Sequence, residues 1–398
     1  MASTLTWVDH DRRARERSER LLALFDERDT RDELGLGGVR DAIADKLFPG
    51  TSTIQTRLRY MIFTPWLYQQ LEDRKVPSAT FSRKAREAEL NLSEALLRSK
   101  DNSGAFGRVA GKALKRLPSS VYWAGLGSWG IRRFDASRDE YHRAVDRVYA
   151  RRSAERPSDG FEPQPDLSGV TWHPRLPPIP AGFPDTATFD LTLEEAAFLR
   201  DRLAEMHPDS LLTHLALKSQ PPEAEFPWLL TDTSGLRAEH LEQLRHARLF
   251  SSAMNGAALL YNLLLAESSG RRELEADYLG RLQAWAASVD LVSLRTWRLS
   301  WLWEMAASAG RSIDVRTCRF VENWVGIVVD DPVSASLRQD ARDLVRGREA
   351  SLKHGRSRFS NQRSLDQWSG AAGIQPMSYR WSTAKAFLSD LHRGLWRS

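Results

Sequence analysis

The sequence predicts an all-α fold, two helical lobes joined by a proline-rich linker or strap, on three observations. Apolar residues recur at three- and four-residue spacing through most of the chain. Strand-like alternation is nearly absent, with only residues 326–329 hinting at it. One stretch, 156–184, breaks the helical period with eight prolines. Proline fixes φ and removes a donor, so this stretch reads as an extended segment. The expected division is a basic helical domain at 1–155, a linker at 156–186 and a second helical domain at 187–398. Phe161, Trp172 and Phe183 favour a strap that docks over a free tether.

The elements follow in order. A first helix over 12–25 begins polar and gains Leu21, Leu22 and Phe25 as an apolar edge. Residues 39–47 form a short amphipathic helix. Pro49-Gly50 is a turn, and Thr51 to Thr53 supply caps for a strongly apolar helix over 54–71 that Pro65 kinks or breaks. Leu90, Leu92, Leu96 and Leu97 support a helix over 81–98. After the strap, Asp190 or Thr192 caps a helix, with Glu195 completing a capping box. The longest helix, 236–266, carries Leu259, Leu260, Leu263 and Leu264 and belongs at the centre of its lobe. Helices at 274–285, 289–307, 315–329, 333–346 and 379–395 complete the series.

Composition narrows the function classes. At 398 residues and 41% hydrophobic, the chain is long enough for real cores. No uninterrupted apolar run approaches the ~20 residues a bilayer requires, and the first 20 residues lack a secretory core, so no membrane partner and a cytoplasmic location are expected. The single cysteine, Cys318, excludes an intrachain disulfide and a cysteine metal cluster, and its neighbours suit a small buried residue. Arginine dominates the cations, 48 against 9 lysines, a bias that a GC-rich genome produces by itself. Charge is unevenly spread: residues 1–156 carry net +8, 157–270 net −9 and 271–398 net +6. Two basic segments therefore flank an acidic one.

Catalytic patterns are missing. Gly111-Lys112 lacks the rest of a phosphate-binding loop, because Phe106 stands at the first glycine and Ala113 at the hydroxyl. Ser128 lies among Gly125, Gly127 and Gly130, but Leu126 two residues earlier rules out a nucleophile elbow. No zinc-ligand spacing occurs, and neither a metal nor a cofactor is expected. Arg202 with His207 and Arg348 with His354 have the spacing of helical ribonucleases, which chance supplies in so arginine-rich a chain.

Two stretches pair cations with aromatics. The first holds Arg98, Lys100, Arg108, Lys112, Lys115 and Arg116 with one acid, Asp101, and is followed by Tyr122, Trp123 and Trp129. The second holds Arg346, Arg348, Lys353, Arg356, Arg358 and Arg363, followed by Trp368. Cations pair with phosphates and exposed rings stack on bases, so Arg108, Lys112, Lys115, Arg116, Trp123 and the second set with Trp368 are the candidate nucleic-acid contacts. The alternative is a solvated helix face beside core tryptophans. Trp297, Trp301, Trp303 and Trp324 have core-like spacing and anchor packing or a partner. A helix-turn-helix over 39–47 and 54–63 is a weaker reading, since its second helix is too apolar for a groove.

Four blocks carry a resemblance: LFPGTSTIQTRLRYMIFTPWLYQQLE (47–72), PSSVYWAGLGSWGIRRF (118–134), MNGAALLYNLLLAE (254–267) and SRFSNQRSLDQWSGAAG with SYRW (357–381). They resemble the conserved blocks of a bacterial domain-of-unknown-function family, across nearly the whole chain. That resemblance implies a setting in antiphage defence islands, beside helicases and phospholipase-D-like proteins, and transfers no catalytic residue. The resulting expectation is a non-catalytic, nucleic-acid-associated subunit, with DNA favoured over RNA, acting with a helicase or nuclease. The alternatives are a protein-protein adaptor that recruits an effector and a divergent helical nuclease.

Overall fold

The computed structural model describes residues 32–154 and 170–396. Their helices are α1 Gly37–Leu47, α2 Tyr60–Asp73, α3 Ser78–Arg98, α4 Pro118–Ser128, α5 Arg138–Ala154, α6 Leu193–Met206, α7 Leu211–Ala216 and α8 Ala238–Ser268. They continue as α9 Arg272–Ser288, α10 Leu291–Arg295, α11 Leu299–Ser308, α12 Val315–Asp330, α13 Gln339–Lys353, α14 Gln362–Asp366 and α15 Trp381–Leu395. The fold is all-α. Among the described residues the only β pairing is an isolated bridge between Arg132 and Trp172. The helix expected at 12–25, and Phe161, lie outside the described residues.

The chain forms two compact units, each discontinuous in sequence. The first comprises Met1–Ile43 and Leu244–Met377; the second comprises Ala44–Gln243 and Ser378–Ser398.

In the first unit the core is built on α8. Asn262 is fully buried, yet its amide donates to Ala372 O (2.8 Å) and Ala258 O (2.8 Å) and accepts from Trp368 Nε1 (3.1 Å). A buried amide so satisfied carries no desolvation penalty and fixes the register of the 368–372 loop. Trp324 Nε1 donates to Ala253 O (2.8 Å), and its ring stacks on Trp285 at 6.2 Å. By length and composition α8 alone among the described helices could cross a membrane, but 83% of its apolar stretch is buried inside the protein. It is a core helix.

In the second unit, α2 carries an unbroken buried run from Tyr60 to Tyr68, Pro65 included. The helix starts at Tyr60, six residues later than its apolar pattern predicts. The reason is tertiary. The amides of Thr56 and Arg57 donate to Tyr122 Oη (2.9 and 3.1 Å), and that of Leu58 donates to Asp390 Oδ2 (2.9 Å). These N–H groups are held by distant side chains in place of a helical turn. Thr51 caps nothing; its hydroxyl donates to Phe48 O at 2.6 Å. The Pro49-Gly50 turn stands as expected, with Gly50 at φ +75° against the Trp129 indole. A helix-turn-helix with its second helix at 54–63 is therefore absent: 54–59 are not helical, and Tyr60 to Phe63 are fully buried.

The described end of the strap docks inside this unit. Arg133 N donates to Thr171 O (3.0 Å) and His173 N to Ile131 O (2.8 Å). Trp66 Nε1 donates to Pro177 O (2.7 Å), and Phe183 stacks on Phe63 at 5.7 Å. The buried Glu72 carboxylate gathers Trp172 Nε1 (2.9 Å), Thr171 Oγ1 (2.8 Å), Arg152 Nη2 (2.5 Å) and the Tyr141 hydroxyl. The capping box of α6 forms as read from sequence: Glu195 N donates to Thr192 Oγ1 (3.2 Å) and Thr192 N to Glu195 Oε2 (3.0 Å).

Several elements depart from their expected bounds. Residues 326–329 lie inside α12 and form no strand. The expected helix at 289–307 is two, because Asp290 caps α10 and Trp297 turns inward to donate to His246 Nδ1 (2.8 Å). Cys318 is only half-buried, though burial still pushes its thiol pKa up.

Burial also disfavours the charged form of four histidines in this unit. His142, His173, His207 and His214 all have lowered pKa values, burial being the largest cause, with His142 brought to about 4. Between that value and the unfolded value near 6.5, the unfolded chain binds more protons, so their contribution is full above about 6.5 and is lost as pH falls. Glu89 opposes them. Burial pushes its carboxyl up to about 7, so its contribution declines as pH rises from 4.5 through 7. His142 and Glu89 shift by similar amounts in opposite senses, so the three other lowered histidines set the sign. The melting temperature is expected to fall between pH 7 and pH 5, and His142→Gln to flatten that slope. A thermal melt series across this range checks it; a pH-independent melting temperature would contradict it.

Candidate nucleic-acid interface

The first basic stretch leaves the end of α3 as a loop tethered from beneath. Arg57 is 8% exposed, and its guanidinium does the tethering. Nη1 donates to Asp101 Oδ2 (2.7 Å) and Ser103 O (3.0 Å), while Nε donates to both Asp390 oxygens (3.1 and 3.0 Å). Nη2 sits at ion-pair distance from Asp390 Oδ1 (3.0 Å) without hydrogen-bond geometry. Its plane lies over Phe189 at 4.4 Å. Thr56 Oγ1 donates to Gly104 O (2.7 Å), and Phe106 N donates to Tyr60 Oη (3.2 Å). Leu114 and Leu117 are buried at the far end.

With Leu114 and Leu117 held inward, the cations face out. Arg98, Lys100, Arg108, Lys115 and Arg116 are all exposed. Arg108 is steadied by Asn102, accepting through O (3.0 Å) and Oδ1 (2.6 Å). The side chain of Lys112 lies outside the described residues. Asp101, the one acid of 98–116, is committed to Arg57. Burial works against its charge, but the Arg57 hydrogen bond and charge, helped by Arg393, hold its carboxyl below the usual range. This is a stretch of exposed cations whose one acid, itself 45% exposed, is paired with the buried Arg57. On the neighbouring α5, which packs against α3, Arg143 and Arg147 are exposed as well.

The second basic stretch has a different role. Arg348 is buried, donating to Leu34 O (2.8 Å), Gly35 O (3.1 Å) and Thr317 Oγ1 (2.7 Å) over the Phe320 ring, and burial lowers its pKa. Lys353 pairs with Glu33 and, at 3.7 Å, with Glu349. Arg358 joins Glu33 at 3.1 Å and donates to Tyr261 Oη at 2.9 Å. Arg346 is half-buried over Phe359 at 5.8 Å. Only Arg356 and Arg363 of this set are exposed. Residues 346–358 therefore form a clasp on residues 33–35 within the first unit.

Neither tryptophan presents a ring face. Trp123 is 8% exposed and donates to Ala136 O (2.9 Å); Trp368 is 2% exposed, donates to Asn262 and carries Arg271 over its ring at 5.2 Å. Both are core residues, so base stacking cannot fall to them. Arg57 and Arg393 are the contributors that sequence reasoning missed. Arg393 Nη2 reaches Asp390 Oδ1 at 2.6 Å while its side chain stays half-exposed.

His207 Nε2 lies 2.9 Å from Ser128 Oγ and equally 2.9 Å from Ser128 O, which makes it a partner for the carboxyl end of α4. Arg202, its neighbour in the ribonuclease-like spacing, is buried and donates to Trp129 O (3.1 Å) and, through Nη1, to Glu205 (2.5 Å). Arg348 is buried whereas His354 is exposed. Among the described residues no group of three histidine, cysteine or carboxylate side chains is placed to hold a metal ion.

No curated protein and no solved structure matches this chain. Residues 2–394 match a family described as a family of unknown function, DUF6361. That match spans nearly the whole chain, and the protein belongs to this family.

Proposed function

We propose that this protein is a non-catalytic, nucleic-acid-associated subunit of a bacterial antiphage defence system, working in the cytoplasm with a helicase or nuclease. The observation that carries the reading is the exposed row Arg98, Lys100, Arg108, Lys115 and Arg116, whose one acidic neighbour is bound to Arg57. Phosphates bind such a surface by displacing counterions and need no base contact. DNA duplex is the favoured partner of the row itself, since Trp123 and Trp368 are withdrawn from it. The defence setting rests on the resemblance of the four sequence blocks.

Changing Arg108, Lys115 and Arg116 together to Glu is expected to weaken DNA binding about tenfold or more at near-physiological salt. These side chains are exposed, so the melting temperature is expected to stay unchanged. A titration by fluorescence anisotropy checks both. Binding within twofold of wild type would overturn the assignment, and metal-dependent cleavage by the purified chain would overturn its non-catalytic part.

A second reading, an adaptor that recruits an effector protein, is favoured by the first unit. Val292 (76%), Val315 (61%) and Trp301 (42%) are exposed there, whereas Trp297 and Trp324 are buried. Exposed apolar side chains of this size suit a protein partner when they cluster.

A further inference from the structure

Trp396 is 62% exposed, directly after the last turn of α15. Among the described tryptophans only it and Trp301 are exposed, and only Trp396 belongs to the same unit as the basic row. Leaving such a ring in water forgoes roughly 1.5–3 kcal/mol of apolar burial. Arg393 precedes Trp396 by three residues, the spacing of side chains that share a helix side. Arg393 binds Asp390, Asp390 binds Arg57, and Arg57 binds Asp101, which directly follows Lys100. These linked ion pairs bring the end of α15 near the start of the basic loop. The carboxyl end of a helix by itself repels phosphate, and Arg393 offsets that.

We infer that Trp396 and the basic loop form one site, in which the Trp396 ring stacks on an unpaired nucleobase while Lys100, Arg108 and Arg393 hold the flanking phosphates. The inference rests on the nucleic-acid reading above and sharpens it: the partner is a duplex bearing a single-stranded tail or opened end. A cationic ligand is disfavoured by the half-exposed Arg393 three residues before the ring. A fully paired duplex gives the ring no face to meet, because its bases are stacked on each other. Stacking on an aromatic tolerates every base, so the site selects strandedness and not sequence.

The test compares a blunt DNA duplex with the same duplex carrying a short single-stranded tail, using the full chain, Trp396→Ala, Trp396→Phe and the pair Lys100→Glu with Arg108→Glu. Wild type is expected to bind the tailed duplex about tenfold more tightly than the blunt one. Trp396→Ala should lose that preference and keep its affinity for the blunt duplex, and Trp396→Phe should retain part of it. The charge-reversed pair should lose affinity for both. Equal binding of tailed and blunt duplex by wild type, or a preference that survives Trp396→Ala, overturns the stacking site alone. Failure of wild type to bind either duplex overturns the nucleic-acid reading together with it.

Discussion

Arg57→Ala is expected to destabilise the second unit by about 3–5 kcal/mol, the cost of stranding a buried carboxylate. Asp390 is 3% exposed and receives Arg57 Nε, Leu58 N and Arg393 Nη2. Without Arg57 it keeps two of these donors but loses its only buried cation, since Arg393 is half in solvent. Lysine would not rescue. Its single ammonium cannot donate to Asp390, Asp101 and Ser103 from one planar fork, nor lie flat over Phe189. Denaturant unfolding followed by tryptophan fluorescence measures the effect. A loss below about 1 kcal/mol would mean that the network is solvated, with no part in holding the loop. Because Arg57 also anchors Asp101 and Ser103, limited proteolysis of Arg57→Ala is expected to cut first within 98–116.

Gly256→Ala is expected to destabilise the first unit by about 2–3 kcal/mol, although alanine in a helix interior ordinarily gains about 1 kcal/mol over glycine. Gly256 lies in α8, where a Cβ would come closer than 3.0 Å to three atoms of the Trp285 indole. The ring cannot swing aside. Its Nε1 donates to Ser252 O at 2.8 Å, and its face is stacked on Trp324. Combining Gly256→Ala with Trp285→Leu removes the clash, so the two substitutions should be strongly non-additive and alanine should become favourable in that background. Additive effects measured by chemical denaturation would contradict the packing account.

The all-α class and the approximate places of most strongly patterned helices were legible, because apolar spacing reports a buried face wherever a face is buried. Helix 193–206 was visible from Thr192 and Glu195, whose capping box is a local interaction. What failed was non-local. The start of α2 is set by Tyr122 and Asp390, 65 and 332 residues away from the amides they bind. Residues 326–329 read as strand because β-branched valines and isoleucine crowd there, yet they lie in α12, where Ile327 and Val328 are buried. The candidate interface was half legible. Charge density marked both basic stretches, but sequence could not say that Glu33 neutralises Lys353 and Arg358, or that Asp101 pairs with Arg57. An aromatic after a basic run carries no sign in the sequence that its ring is buried, as those of Trp123 and Trp368 are.

Binding that depends on a polyanion meeting this row of cations has a signature of its own in salt. The affinity of the wild-type chain for a short DNA duplex, measured between 50 and 200 mM salt, is the decisive measurement. Five phosphate contacts, from Arg98, Lys100, Arg108, Lys115 and Arg116, correspond to a log–log slope near −4.5 and a loss of about 500-fold over that range. A slope near zero, or no binding at 50 mM, would contradict the account.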